Sequence, residues 1–138
     1  MLCIWHLPLR LPLTRPASVL SLTIYEPVRF ALLRGRDELS WQDVTGAGRR
    51  IAALARANDL PASGEAFVDY WSGGGAWMRL SSGQRAAIAS RMPKVGAEFE
   101  ALFADAVPLA AYAALSMPVR LLTGTRSPAC AKRIVEIL

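Results

Sequence analysis

The chain has one histidine, His6, and two cysteines, Cys3 and Cys130. One imidazole and two thiols at opposite ends give no metal-binding spacing and no redox pair. Cys130 falls in the first turn of an expected helix, where a small buried thiol is the ordinary reading. A reducing, cytoplasmic setting is the simplest expectation. No apolar run approaches the roughly 20 residues that a membrane span needs. The apolar opening, residues 1–10, is broken at Pro8 and followed by Pro12, with no basic stretch before it and no small-residue cleavage site, so a signal peptide is not expected. Lysine is scarce. The basic excess lies in arginines (Arg29, Arg34, Arg36, Arg49, Arg50 and others) that are scattered among acids and form no basic arm. Nucleic acid is therefore not an expected partner, although the formal net charge is +5 and the isoelectric point about 9.9. An arginine-rich surface whose aliphatic stems cover apolar area is the plainer reading.

What is present suits one domain. The 138 residues are 53% hydrophobic and 20% charged, a balance that favours a packed core over disorder. There is no internal repeat and no low-complexity linker. Residues 19–25 form a short apolar, β-branched run that ends abruptly at Glu26-Pro27. Such a run is expected to be a parallel strand covered on both faces, with its carboxyl tip feeding a functional loop. A second strand is expected over residues 118–123, closed by Gly124.

Between the two strands the pattern is helical. Gly46 to Leu60 reads as a helix with Ile51, Leu54 and Ala55 on one face, stopped by Pro61. Ser63 is expected to cap the next helix, which carries Phe67, Tyr70 and Trp71. Ser72-Gly-Gly-Gly-Ala76 is a break, read as a hinge or simply a loop. It lacks the Lys-Ser/Thr ending and the preceding strand of a phosphate loop, and no cofactor or metal motif is found elsewhere. Ser81 and Gln84 form a capping-box pattern opening a third helix through Ile88 and Met92, ended by Pro93. Val95, Phe99, Leu102 and Phe103 mark a fourth. After the second strand, Ser127-Pro128 gives an N-cap followed by proline, and Ala131, Ile134, Val135 and Leu138 form the buried face of a final helix over 128–138. That pattern stops at Leu138 with no C-cap, an odd place for a domain to end.

The segments Leu22-Thr-Ile-Tyr-Glu-Pro-Val28, Asp69-Tyr-Trp-x-Gly-x-Gly-Ala-Trp77, Met92-Pro-Lys-Val95 with Glu98-Phe99, and Pro118-Val-Arg-Leu-Leu-Thr-Gly-Thr-Arg-Ser-Pro128 resemble, in that order, the later half of the α/β-hydrolase family: a late core strand, cap helices, the next strand and its loop. The resemblance covers residues 17–138 and leaves 1–16 as an unmatched, spurious N-terminal segment. It implies an α/β fold: a partial α/β-hydrolase domain with two parallel core strands, 19–25 and 118–123, a helical cap over about 37–115, and a last helix, 128–138.

That family uses a serine, an acid and a histidine in chain order, with the serine in G-x-S-x-G. This sequence has no such pentapeptide and no histidine after the second strand, and His6 precedes every matched segment. Ser127 stands where an aspartate often follows the second strand. A neutral hydroxyl cannot stabilise an imidazolium as a carboxylate does, and an N-cap role explains it. Glu26, at the carboxyl tip of the first strand, is the candidate acid, because ligands bind at that edge of open α/β sheets; it equally suits a carboxylate that satisfies loop amides. Tyr70, Trp71 and Trp77 read as cap core or as the lining of an apolar substrate pocket. The expected function is that of a fragment of a hydrolase for a small hydrophobic ester, inactive alone and marginally folded in isolation. The alternative is a non-catalytic interaction module that docks, or self-associates, through an exposed sheet edge and apolar face.

Overall fold

The computed structural model describes residues 7–138, with side chains from Leu11 onward. His6 and Cys3 lie outside the described residues. The order of elements is α1 (Leu7–Thr14), β1 (Leu22–Tyr25), α2 (Glu38–Arg56), α3 (Leu60–Ser72), α4 (Ser82–Ala89), α5 (Met92–Phe103), α6 (Leu109–Ala113), β2 (Val119–Leu122) and α7 (Ala129–Ile137), with short 3-10 turns at Pro16–Ser18, Phe30–Leu33 and Trp77–Arg79. Among the described residues, no helix is long and apolar enough to cross a membrane.

The expected α/β class, a partial α/β-hydrolase fold, is corrected by this architecture. The chain is mostly helical, about 62%, and its two strands are four residues each. They pair in parallel, with Leu22 opposite Val119, Thr23 opposite Arg120, Ile24 opposite Leu121 and Tyr25 opposite Leu122. No third strand joins them among the described residues. The apolar run of 19–25 suggested a strand covered on both faces, but only Ile24 in it is buried, and Leu20 is 91% exposed. Two four-residue strands cannot form the multi-stranded layer of a hydrolase-like sheet. Everywhere else the sequence carries helix signals that win locally.

The chain forms two compact units, one comprising the described residues through Trp41 with Ala104–Leu138, the other Gln42–Phe103. In the first, Ile24 and Tyr112 form a core that Leu13, Leu22, Val107, Leu109, Leu121 and Leu138 pack against. The turn at Phe30–Leu33 packs on α7, whose Cys130, Ala131 and Ile134 are buried. Arg29 is buried at 1% exposure. Its guanidinium pairs with Asp105, donates to the Val107 carbonyl at 2.9 Å and lies 5.3 Å from the centre of the Tyr112 ring. A buried arginine needs such partners, because an isolated charge there would be prohibitively costly.

In the second unit α3 packs on α4 and α5, and Ile51, Ala52, Trp77, Met92, Phe99 and Leu102 are buried. Helix α2 starts eight residues before the expected Gly46. Asp37 accepts the Ser40 amide at 3.0 Å and the Ser40 hydroxyl at 3.1 Å, an N-cap that Gly46 and Gly48 obscured in the sequence. The helix ends in a Schellman motif. Asn58, at φ +59°, donates to the Ala55 carbonyl, and Asp59 donates to that of Leu54. Asp59 then caps α3 by accepting the Ala62 amide at 3.2 Å, so Pro61 lies in the first turn of α3. Ser63, expected as that cap, is instead buried inside α3 and donates to the Ile51 carbonyl at 2.9 Å. The Ser81–Gln84 capping box forms as read. Its helix stops at Ala89, and Pro93 belongs to the first turn of α5.

Candidate functional site

The carboxyl tips of the two strands bring the candidate acid, Glu26, together with the loop that follows β2. Glu26 follows β1 directly. Its backbone N–H donates to the Leu122 carbonyl at 2.8 Å, extending the parallel ladder one residue past the strand. Its φ is +50°. A left-handed non-glycine residue costs on the order of 1–3 kcal/mol and persists where its surroundings over-determine it. Two side-chain contacts do so here. Carboxylate oxygen Oε1 accepts the Gly124 amide at 3.3 Å and also accepts the Ser127 hydroxyl. The other oxygen, Oε2, has no protein partner among the described residues.

Ser127 is presented by a tight turn in which its amide donates to the Gly124 carbonyl at 3.2 Å. It does not cap the last helix. Pro128 occupies the cap position with no side-chain bond, and α7 begins at Ala129. A Cβ at Gly124 would sit 2.6 Å from Ser127 Oγ and 2.8 Å from Tyr25 Oη, so any larger residue there would displace one or both side chains. The neighbouring Thr123 hydroxyl is shielded from solvent and has no hydrogen-bond partner among the described residues, a deficit that a bound polar group would relieve.

The other three sequence candidates belong to the second unit. Trp77 is buried, and its ring lies against the backbone of Gly64, where a Cβ would be 2.9 Å from Cη2. Its amide donates to Asp69 Oδ1 at 2.8 Å, while Gly75 donates to Oδ2 at 3.0 Å. These backbone bonds hold the Asp69 carboxyl below its ordinary pKa of 3.8. The glycine break is therefore a loop tied to a carboxylate, with Gly73 and Gly75 at φ +89° and +75°. Tyr70 and Trp71 are half-buried. Tyr70 meets Trp71 edge-on at 5.0 Å between centroids, and its hydroxyl donates to Asp43 Oδ2 at 2.7 Å. Met78 is exposed.

The contact between Ser127 and Glu26 escaped sequence reading, because 101 residues separate the partners. The parallel order of the two strands was the available signal. Among the described residues, no three His, Cys, Asp or Glu side chains gather as a metal site. Comparison with family models, with curated proteins and with solved structures found no match to this chain.

Proposed function

We propose that this chain contributes the acid member of a serine-hydrolase-type site, with Glu26 as the carboxylate and the serine and histidine supplied by polypeptide outside this sequence. The observation that carries the reading is the state of the Glu26 carboxylate. One oxygen is held by Gly124 and Ser127, and the other has no hydrogen-bond partner among the described residues. That is the arrangement a triad acid needs. Its held oxygen fixes the geometry, and its open oxygen accepts the Nδ1–H of a histidine and stabilises the imidazolium that forms when the serine is deprotonated. The reading does not depend on a hydrolase-like sheet, which the chain does not form. The substrate class, a small hydrophobic ester, comes from the motif resemblance.

The test has two arms. The pure 138-residue chain should not turn over short p-nitrophenyl esters above buffer, since loss of the nucleophile removes most of the rate. The coding region should then be read in all frames on both sides, and the longest polypeptide joining a G-x-S-x-G segment and a later histidine to this chain should be expressed. It should hydrolyse such esters, and Glu26→Gln should cut kcat by about 10⁴-fold. Turnover unaffected by Glu26→Gln, in either polypeptide, sinks the proposal.

A second reading, docking without chemistry, is favoured by the outer face of the strand pair. Thr23, Tyr25, Arg120 and Leu122 are exposed there, with Tyr25 at 62%. On that reading the chain self-associates, and Leu122→Lys should return it to a monomer in sedimentation at high concentration. A wild-type chain that stays monomeric removes it.

A further inference from the structure

We infer that Ser127, made accessible by Gly124, is a positioning residue for the Glu26 carboxylate; the inference rests on the reading of Glu26 as the acid. Among the described residues, the Ser127 hydroxyl serves no contact other than the one to Glu26. It caps no helix amide, and its one partner among the described residues is Glu26 Oε1. The turn places a donor at each end, the amide of its first residue and the hydroxyl of its fourth, and both meet the same carboxylate oxygen. A methyl group on Gly124 would strike the Ser127 oxygen, so the glycine and the serine form one device. A second carboxylate at 127 would repel Glu26, whereas a hydroxyl donates to it. The strand-end carboxylate takes the charge, and the loop residue after the second strand supplies a neutral donor. With two donors on Oε1, the carboxylate plane is fixed and Oε2 is presented in one direction, which an orienting acid requires.

The test is solution NMR on the full 138-residue chain as wild type, Ser127→Ala, Ser127→Thr and Gly124→Ala. In the wild type the Ser127 hydroxyl proton should exchange slowly enough to be observed, with cross-relaxation to the Glu26 γ protons, and the Glu26 β–γ couplings should report one rotamer. Ser127→Ala should collapse those couplings to rotamer averaging while amide shifts away from the strand tips stay in place. Ser127→Thr, which keeps the hydroxyl, should restore the single rotamer, and Gly124→Ala should lose it. A purely structural serine would lower stability without freeing Glu26. A Ser127 hydroxyl in fast exchange in the wild type, or Glu26 couplings unchanged in Ser127→Ala, overturns the inference. Should Ser127→Ala fail to fold, the wild-type hydroxyl and Gly124→Ala decide it. The acid reading fails by a different result, full ester turnover in Glu26→Gln, whatever the couplings show.

Discussion

Glycine lies inside helices at positions with opposite surroundings, and replacing each by alanine separates backbone propensity from packing. In an exposed helix interior, glycine to alanine gains about 1 kcal/mol. At Gly46 in α2, an added Cβ has nothing within 4 Å, so Gly46→Ala should stabilise by about that amount. Two residues later, at Gly48, the same methyl would fall 2.6 Å from Cζ of Phe103 and 2.7 Å from Cδ1 of Phe99. Ordinary carbon contacts lie at roughly 3.5–4.0 Å, so both rings must retreat by about 1 Å. These rings already pack together at 5.7 Å between centroids, and Phe99 is buried. Overpacking of this kind costs about 1–3 kcal/mol. After the propensity gain, Gly48→Ala should be net destabilising by up to about 2 kcal/mol. Gly64 follows the same logic against Trp77. At Gly96 the overlap is smaller, with the added Cβ 3.1 Å from the Ala52 Cα, but the neighbour there is helix backbone, which yields less readily than a ring. Urea unfolding followed by circular dichroism gives the midpoints, and an unchanged m-value certifies that the shift is one of stability. A Gly48→Ala protein as stable as Gly46→Ala would refute the close approach of α5 to α2 at that glycine.

Two further predictions follow from charge. Asp105→Ala leaves the buried Arg29 without its carboxylate and should destabilise by about 3–5 kcal/mol in urea unfolding, whereas Arg29→Met with Asp105→Leu should cost clearly less; equal losses in the two proteins would refute the pairing. Asp69 has its pKa lowered by the Trp77 and Gly75 amides, so its contribution is fully present above the unfolded carboxylate value near 3.8 and is lost as pH falls through the lower folded value. The stability gap between wild type and Asp69→Asn should therefore be flat near neutrality and close below pH 3.8, and a gap that persists at lower pH would show that the carboxylate charge is not what holds the loop.

How far the fold was legible depended on how local its signals were. The Ser81–Gln84 capping box was readable because both partners lie within one turn. The junction of α2 and α3 was readable in kind but not in place. Pro61 was read as a stop where it lies in the first turn of the next helix, and Ser63 was read as the cap that Asp59 supplies. The start of α2 was missed because glycine at 46 and 48 lowers helix propensity, while the reason for Gly48 lies in Phe99 and Phe103 more than fifty positions on. Tertiary packing overrode propensity there. Fold class failed for a related reason. Two parallel strands were expected, but the α/β class rested on the motif resemblance, and the strands are four residues each in a chain that is mostly helix.

The candidate site divides along the same line. Glu26 was legible, because a carboxylate between a strand and a proline stands out in one dimension. Its environment was not. Ser127 before Pro128 satisfies every local rule for an N-cap, and only the parallel pairing of β1 with β2 brings it to Glu26. A local signal that is satisfied twice, once by helix start and once by a distant partner, cannot be resolved from sequence. The helix begins two residues later and does without the hydroxyl. Capping is worth about 1 kcal/mol, whereas a hydrogen bond to a charged group is worth about 1.5–3 kcal/mol. The stronger of the two bonds takes the side chain, so the cap reading yields wherever a carboxylate comes within reach.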